Sequence, residues 1–257
     1  MPVPEEDRVT IRWLRSILAG AVLACAVPAH AQMFEGLPQQ ITMTNLILQP
    51  AIDSAKRAAR GGEATPPTRP RAPRPAVPAA RATTTFRSSP AVTARVRSRF
   101  ADWLKSNSNA DAAQARKIEA ALGGDFVGQW SAAVRADGLR AGDAADALGA
   151  YWLLNWMIAN HRTSNTGAEA RAVRDQCRTL LAANPQFAAL DDAQRQEMAE
   201  VWMLNFLLHA AAYEQVLSGK DPALAGKLAD AAAARFRREM GVDLRRLRVT
   251  ANGFVPA

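Results

Sequence analysis

Two stretches of the sequence are apolar on nearly every side of a helix, and they constrain the fold most. Residues 151–158 (YWLLNWMI) and 201–208 (VWMLNFLL) carry no side chain that is charged at pH 7. Each lies inside a longer segment with helix signals, predicted at about 144–162 and about 192–217. A helix that is apolar all round has to be surrounded by other elements. We therefore expect both helices at the centre of a bundle.

Capping and breaking residues place further helices around these two. Most of the segments begin at an N-cap or a first-turn proline and end before glycine or proline. They cover about residues 90–105, 109–122, 125–136, 168–183 and 222–240. The tail from Val242 to Phe254 is short for a helix and is expected to fold back across the bundle. Because no run of alternating strands is present, the sequence predicts an all-α domain of about six to seven helices over residues 90–257.

The N-terminus has the three parts of a secretory signal peptide. A basic stretch ending at Arg15 precedes an uncharged apolar run at residues 17–27, and the small-x-small pattern Ala29–Ala31 follows. We expect residues 1–31 to be removed, so that the mature chain begins at Gln32 in the periplasm or outside the cell.

The signal is too short to remain as an anchor. Its apolar run is well below the roughly 20 residues that cross a bilayer as a helix, so no transmembrane helix is expected in the mature chain. Cys25 ends the weak lipobox at residues 22–25. A lipid-anchored chain beginning at Cys25 is therefore an alternative.

Charge is concentrated in the segment between the signal and the helices. Residues 56–100 contain eleven Lys or Arg against one Glu, whereas residues 101–257 contain eighteen basic and eighteen acidic residues. Within this segment, residues 60–89 are rich in Pro, Arg and Ala, a composition typical of a disordered, extended linker. Residues 32–59 are more apolar and end in a short helical pattern, so they form a separate N-terminal segment.

A basic segment on an exported protein favours anionic envelope partners over nucleic acid. We expect residues 56–100 to act as a solvated spacer that like charges keep extended, and contact with an envelope protein or an anionic envelope polymer is the alternative. No nucleic-acid partner is expected, because the helical part is neutral and the chain is predicted to leave the cytoplasm.

The two apolar helices share the pattern W-x-L-N, repeated 50 residues apart. The residues are Trp152 and Asn155 in the first copy and Trp202 and Asn205 in the second. A buried amide has to find hydrogen-bond partners, since an unsatisfied polar group costs about 1–3 kcal/mol. Asn155 and Asn205 are thus predicted either to fix the register of the core or to line a ligand pocket with the tryptophans.

Motifs for catalysis, metal binding or cofactor binding are missing from the sequence. There is no HExxH, CxxC, G-x-S-x-G or glycine-rich phosphate loop, and no cofactor is expected. Cys177 is alone in the predicted mature chain and lies on an apolar stripe, which predicts burial. Glu200 and Glu214 are the best candidates for a carboxylate pair, which a glycosidase needs at roughly 5–10 Å.

Three segments resemble an exported bacterial family of unknown function. They are residues 138–152, residues 192–200 and the closing stretch 241–254. The likeness spans about residues 90–255. It implies a helical domain behind a signal peptide and a variable linker, and it brings no activity or catalytic residue.

Together these patterns favour an exported, non-enzymatic helical protein that binds a partner or ligand. Two alternatives belong to other classes: an envelope-active hydrolase that uses a carboxylate pair, and a binder of anionic surfaces that acts through the Arg-rich linker. The absence of catalytic motifs favours the first interpretation, whereas a deep cleft with converging acidic side chains would favour the hydrolase.

Overall fold

The computed structural model describes residues 8–10, 83–107, 124–219 and 221–257, and seven α-helices fill most of these ranges. They are α1 (Pro90–Asn107), α2 (Phe126–Val134), α3 (Ala144–Ala159), α4 (Gly167–Ala182), α5 (Pro185–Ala188), α6 (Asp192–Gly219) and α7 (Pro222–Met240). Two antiparallel ladders accompany them: β1 (Arg8–Thr10) with β2 (Ser164–Thr166), and β3 (Leu247–Thr250) with β4 (Gly253–Pro256). The predicted all-α class is confirmed.

Local capping chemistry sets the ends of the helices where the sequence predicts them. The Asp143 carboxylate accepts a hydrogen bond from the Ala145 N–H at 2.9 Å and opens α3. Asp221 caps α7 in the same way, with Pro222 at the first helical position. Gly241 ends α7 with a φ of 60°, a left-handed conformation that glycine adopts without strain.

The largest difference from the sequence prediction is the tail. Residues after Gly241 form a short 3-10 turn (Leu244–Arg246) and then the β3–β4 hairpin. The hairpin lies against α4, because the Gln176 side chain donates to the Phe254 carbonyl at 3.0 Å and accepts from the Phe254 N–H at 2.9 Å. The tail therefore folds back over the bundle, as expected, but as strands.

Several sequence predictions lie outside the described residues. These are the cleavage site at Ala31 and Gln32, the lipobox Cys25, the segment 32–59, the linker up to residue 82 and the helix at 109–122. The strand β1 is the described part of the predicted signal peptide, and its backbone pairs with β2.

Helix α3 is the centre of the bundle. All sixteen of its residues are buried, and it packs against α4, α6 and α7. A second, smaller apolar cluster joins α1 and α2 to α6. The prediction of a central helix is confirmed for α3.

None of the described helices is long and apolar enough to cross a membrane.

Residues 84–89, which we call the N-terminal strap, tie the beginnings of α3 and α6 together. The Thr84 carbonyl accepts from the Ala144 N–H at 2.9 Å, and the Arg87 N–H donates to the Asp192 carboxylate at 3.2 Å. At the other end of the same helices, the Tyr213 hydroxyl donates to the Arg162 carbonyl at 3.1 Å. The two central helices therefore run in the same direction. Among the described residues, buried Thr84 already contacts the body ahead of α1.

Candidate functional site

The four residues of the repeated W-x-L-N pattern lie in the interior of the bundle. Asn155 is 0 % exposed and Asn205 is 3 % exposed, and both tryptophans are 5 % exposed or less. Trp152 packs against the rings of Phe236 and Phe254, which brings α7 and the hairpin over α3. Within the part of the chain that the structure describes, the Trp152 indole N–H has no hydrogen-bond partner.

The two asparagines make the same local hydrogen bond. The Asn155 side-chain amide donates to the Tyr151 carbonyl at 2.7 Å, and the Asn205 amide donates to the Val201 carbonyl at 2.8 Å. In each case the acceptor lies four residues earlier in the same helix. The pattern thus repeats in structure as well as in sequence.

Asn155 is also part of a buried polar cluster that joins three helices. Its side-chain oxygen accepts a hydrogen bond from the Arg235 guanidinium on α7. Arg235 also faces the His209 ring on α6, with nitrogen–nitrogen distances of 3.1 Å and 3.3 Å. The Tyr151 ring lies 5.6 Å from the His209 ring, centroid to centroid. We call Tyr151, Asn155, His209 and Arg235 the core polar cluster.

Electrostatics in this cluster keep His209 neutral. Burial lowers the pKa of His209 well below its ordinary value, and the positive charge of Arg235 lowers it further. A neutral imidazole has one nitrogen that can accept a hydrogen bond, so only one of the two Arg235 contacts is a true hydrogen bond. Burial also raises the pKa of Tyr151. The cluster therefore holds one permanent cation among neutral hydrogen-bonding groups.

Sequence reasoning missed Arg235 as a member of this cluster. The signal was available, since Arg235 falls on the helix stripe that also carries the buried residues Ala232, Phe236 and Met240. The surrounding run ARFRREM reads as a charged, solvent-facing face, which hid the one arginine that turns inward. No motif in the sequence marks His209 as a member of the cluster.

Carboxylates and arginines form a second polar region between α3 and α4. Arg178 donates to Asp143 at 2.8 Å and to Asp146 at 3.2 Å. The second oxygen of Asp143 accepts from the Ala145 N–H, and that of Asp146 accepts from the Arg140 N–H at 2.7 Å. Each of the four carboxylate oxygens thus accepts a hydrogen bond.

The two carboxylates of this region respond differently to their surroundings. Burial, reinforced by the charge of Asp143, raises the pKa of Asp146 to about 6. Burial acts in the same direction on Asp143, but hydrogen bonds from Thr84 and Arg178 hold its pKa below the ordinary value. Pairs with opposite shifts occur in acid–base catalysis. Here Asp143 caps α3, and Asp146 accepts from the Arg140 N–H in the turn before α3. Both carboxylates connect α3 to α4 through Arg178.

The predicted carboxylate pair Glu200 and Glu214 is not brought together. Both lie on α6, fourteen residues apart, which is about 21 Å along a helix. Buried Glu200 accepts from the Thr93 hydroxyl at 2.7 Å and from the Gln196 amide at 2.7 Å, so it joins α6 to α1. The two carboxylates cannot flank one bond, and this pairing is a correction to the sequence analysis.

Metal ligation finds no support among the described residues. They hold no group of three or more His, Cys, Asp or Glu side chains placed to bind a metal ion. Cys177 is buried as predicted, and burial raises the pKa of its thiol. A buried thiol with a raised pKa is a poor nucleophile and a poor metal ligand.

A model of one protein family matches residues 14–256, and its description is family of unknown function (DUF6683). The chain belongs to this family. The match covers the helical part and confirms the resemblance to a family of unknown function. No curated protein and no solved structure matches the chain. Membership of DUF6683 therefore identifies relatives of the chain and assigns no activity to its residues.

Proposed function

We propose that the chain is an exported, non-enzymatic binding module that attaches to an anionic component of the cell envelope through residues 56–100. The proposal of export rests on the charge, length and small-x-small pattern of residues 1–31. The proposal of attachment rests on the ten net positive charges of residues 56–100.

One observation supports the attachment: the C-terminal part of the basic segment is hydrogen-bonded to the helical body. The N-terminal strap ties it to α3 and α6, and buried Gln196 on α6 accepts from the Ser89 N–H at 2.8 Å and donates to the Ser89 carbonyl at 3.0 Å. Attachment of the segment to a surface would therefore hold the helical body close to that surface.

Helix α1 extends the positive charge onto the body. Its buried stripe Val92, Val96 and Phe100 faces the core, which turns the side chains of Arg95 and Arg99 outward with exposed fractions of 42 % and 58 %. Both arginines contact the single carboxylate of Glu197. One negative charge facing two positive charges leaves α1 with a positive excess.

The buried polar groups support a binding role over hydrolysis. Asp143 and Asp146 are committed to structural hydrogen bonds, and Glu200 and Glu214 are too far apart to act on one bond. The hydrolase alternative would need a carboxylate pair facing a cleft. Asp143, Asp146 and Glu200 instead connect helices.

Vesicle binding with matched charge variants tests the attachment. The chain from residue 32 to 257 is compared with a variant carrying Arg69→Gln, Arg71→Gln and Arg74→Gln. The control carries three glutamines at exposed body positions Arg135, Arg140 and Lys227, so the net charge of the two variants is the same. The probe is a vesicle with 30 % phosphatidylglycerol at low salt.

We expect the segment variant to bind several-fold more weakly than the control, and binding of the unmodified chain to fade as salt screens it. Equal binding by the two variants would contradict the proposal, because net charge alone would then account for the affinity.

A further inference from the structure

We infer that the body carries a second anion-binding surface, formed by Arg162, Arg246 and Arg248 at the C-terminal end of α3. This surface is separate from residues 56–100 and goes beyond the attachment proposed above. Its ligand is a soluble polymer that carries repeated phosphate groups. All three arginines are exposed.

Packing brings the three arginines to one end of the bundle. Arg162 follows α3 and places its guanidinium carbon 5.5 Å from the centre of the Trp156 ring. The Trp156 indole N–H donates to the Leu247 carbonyl at 2.9 Å. Leu247 packs on the core between Arg246 and Arg248. Leu247 and Val249 both pack on the core, and neighbouring residues of an extended strand point to opposite sides, so Arg248 between them points outward. Arg246 ends the 3-10 turn just before this strand and is also exposed.

The negative groups around this surface are already occupied. Three nearby carboxylates each pair with another arginine: Asp230 with Arg245, Asp243 with Arg237, and Glu239 with Arg238. In contrast, Arg162, Arg246 and Arg248 form no ion pair with an acidic side chain of the described residues. The Ala257 N–H donates to the Arg246 carbonyl at 2.9 Å, and the Arg248 side chain donates to the Pro256 carbonyl at 3.2 Å.

The carbonyl groups at the end of α3, which would repel an anion, are also occupied. The Arg162 N–H donates to the Met157 carbonyl at 2.8 Å, and the Arg245 guanidinium donates to the Ala159 carbonyl at 3.2 Å. The partial negative charge of the helix end is thereby reduced.

The chemistry of the surface favours phosphate groups. A guanidinium presents a planar fork of donors that matches phosphate oxygens, and contact with an aromatic ring restricts the motion of Arg162. The apolar side chains of the hairpin, Val249 and Val255, are half-buried and are not presented for insertion into lipid. A soluble polyanion fits this surface better than a membrane does.

The test measures binding of linear polyphosphate to the chain from residue 32 to 257. The variant carries Arg246→Gln and Arg248→Gln, and the control carries Arg135→Gln and Arg140→Gln, which remove the same charge from the exposed turn before α3. We expect the hairpin variant to bind about threefold to tenfold more weakly than the control at low salt. Thermal unfolding of both variants checks that each remains folded.

Equal affinity of the two variants would overturn the inference. So would a hairpin variant that loses affinity for phosphatidylglycerol vesicles and keeps its affinity for polyphosphate. The same measurement on the Arg69, Arg71 and Arg74 variant separates the two proposals, since loss there alone supports only residues 56–100. Loss in the hairpin variant alone supports only the surface described here.

Discussion

Asn155 and Asn205 occupy equivalent positions in α3 and α6, and they differ in one contact. Each donates its side-chain amide to the carbonyl four residues earlier, at 2.7 Å and 2.8 Å. Asn155 in addition accepts a hydrogen bond from Arg235, which reaches it from α7. The repeat has thus kept its local geometry, while one copy connects the central helix to a third helix.

This difference predicts unequal costs for replacing the two asparagines. Asn155→Leu removes an acceptor from a buried guanidinium and should lower the free energy of unfolding by about 1–3 kcal/mol. Asn205→Leu removes a bond within one helix and should cost less than about 1 kcal/mol. Asn155→Asp keeps an acceptor for Arg235 and serves as the control. Urea unfolding measures all three, and equal losses for the two leucine variants would contradict the assignment.

Acidification should destabilise the folded chain, because His209 is neutral in it. Because the pKa of His209 is lowered in the folded chain, the unfolded chain binds a proton more readily, and stability is lost as the pH falls below about 6.5. Between pH 7 and pH 5 this loss is at most about 2 kcal/mol. His209→Gln should remove it, so the unmodified chain should lose stability relative to the variant. If the difference in unfolding free energy between the unmodified chain and His209→Gln does not change with pH, His209 is protonated as easily in the folded chain as in the unfolded one.

Asp137 should have the opposite effect, because its protonation stabilises the folded chain as the pH falls. Burial raises its pKa to about 6, with a hydrogen bond from the Asn165 amide at 2.8 Å as an opposing influence. The folded chain therefore binds the proton more readily than the unfolded chain, and stability is gained as the pH falls through 6. Relative to Asp137→Asn, the unmodified chain should gain about 1 kcal/mol between pH 7 and pH 5. Urea unfolding at both pH values measures the difference, and a relative loss would refute the raised pKa.

Gln196 should hold α1 on the body. Its amide is fully buried and bonds the backbone of Ser89 on both sides, the Thr93 hydroxyl and Glu200. Gln196→Leu should therefore destabilise the chain by about 1–3 kcal/mol and speed trypsin cleavage after Arg87 and Arg95. Gln215→Leu, at an exposed position on the same helix, is the control. Unchanged cleavage in the Gln196 variant would mean that the apolar stripe of α1 alone holds it.

Local signals explain which parts of the fold could be predicted from the sequence. The carboxylates of Asp143 and Asp221 cap helices through bonds within three residues, and Gly241 stops α7 by its own backbone preference. Such signals are complete within a short window of sequence. The two apolar runs likewise predict burial from local sequence alone.

The rest depends on contacts between distant residues. The hairpin is held by the Gln176 side chain, 78 positions from Phe254, and Arg235 turns inward to meet Asn155, 80 positions away. Short strands have no signature that one segment carries alone, and the charged residues around Arg235 hide its place on the buried stripe of α7. The pairing of Glu200 with Glu214 failed because both residues lie on one continuous helix, where fourteen residues span about 21 Å.

The central claim is that the chain leaves the cytoplasm and attaches to the envelope by charge. Fractionation of the native host at low and high salt, followed by intact-mass analysis of the recovered protein, tests it most directly. We predict a chain that begins at Gln32, sediments with the envelope at low salt and is released at high salt. A full-length chain in the cytoplasm, or a lipid-modified chain beginning at Cys25 that salt does not release, would contradict it.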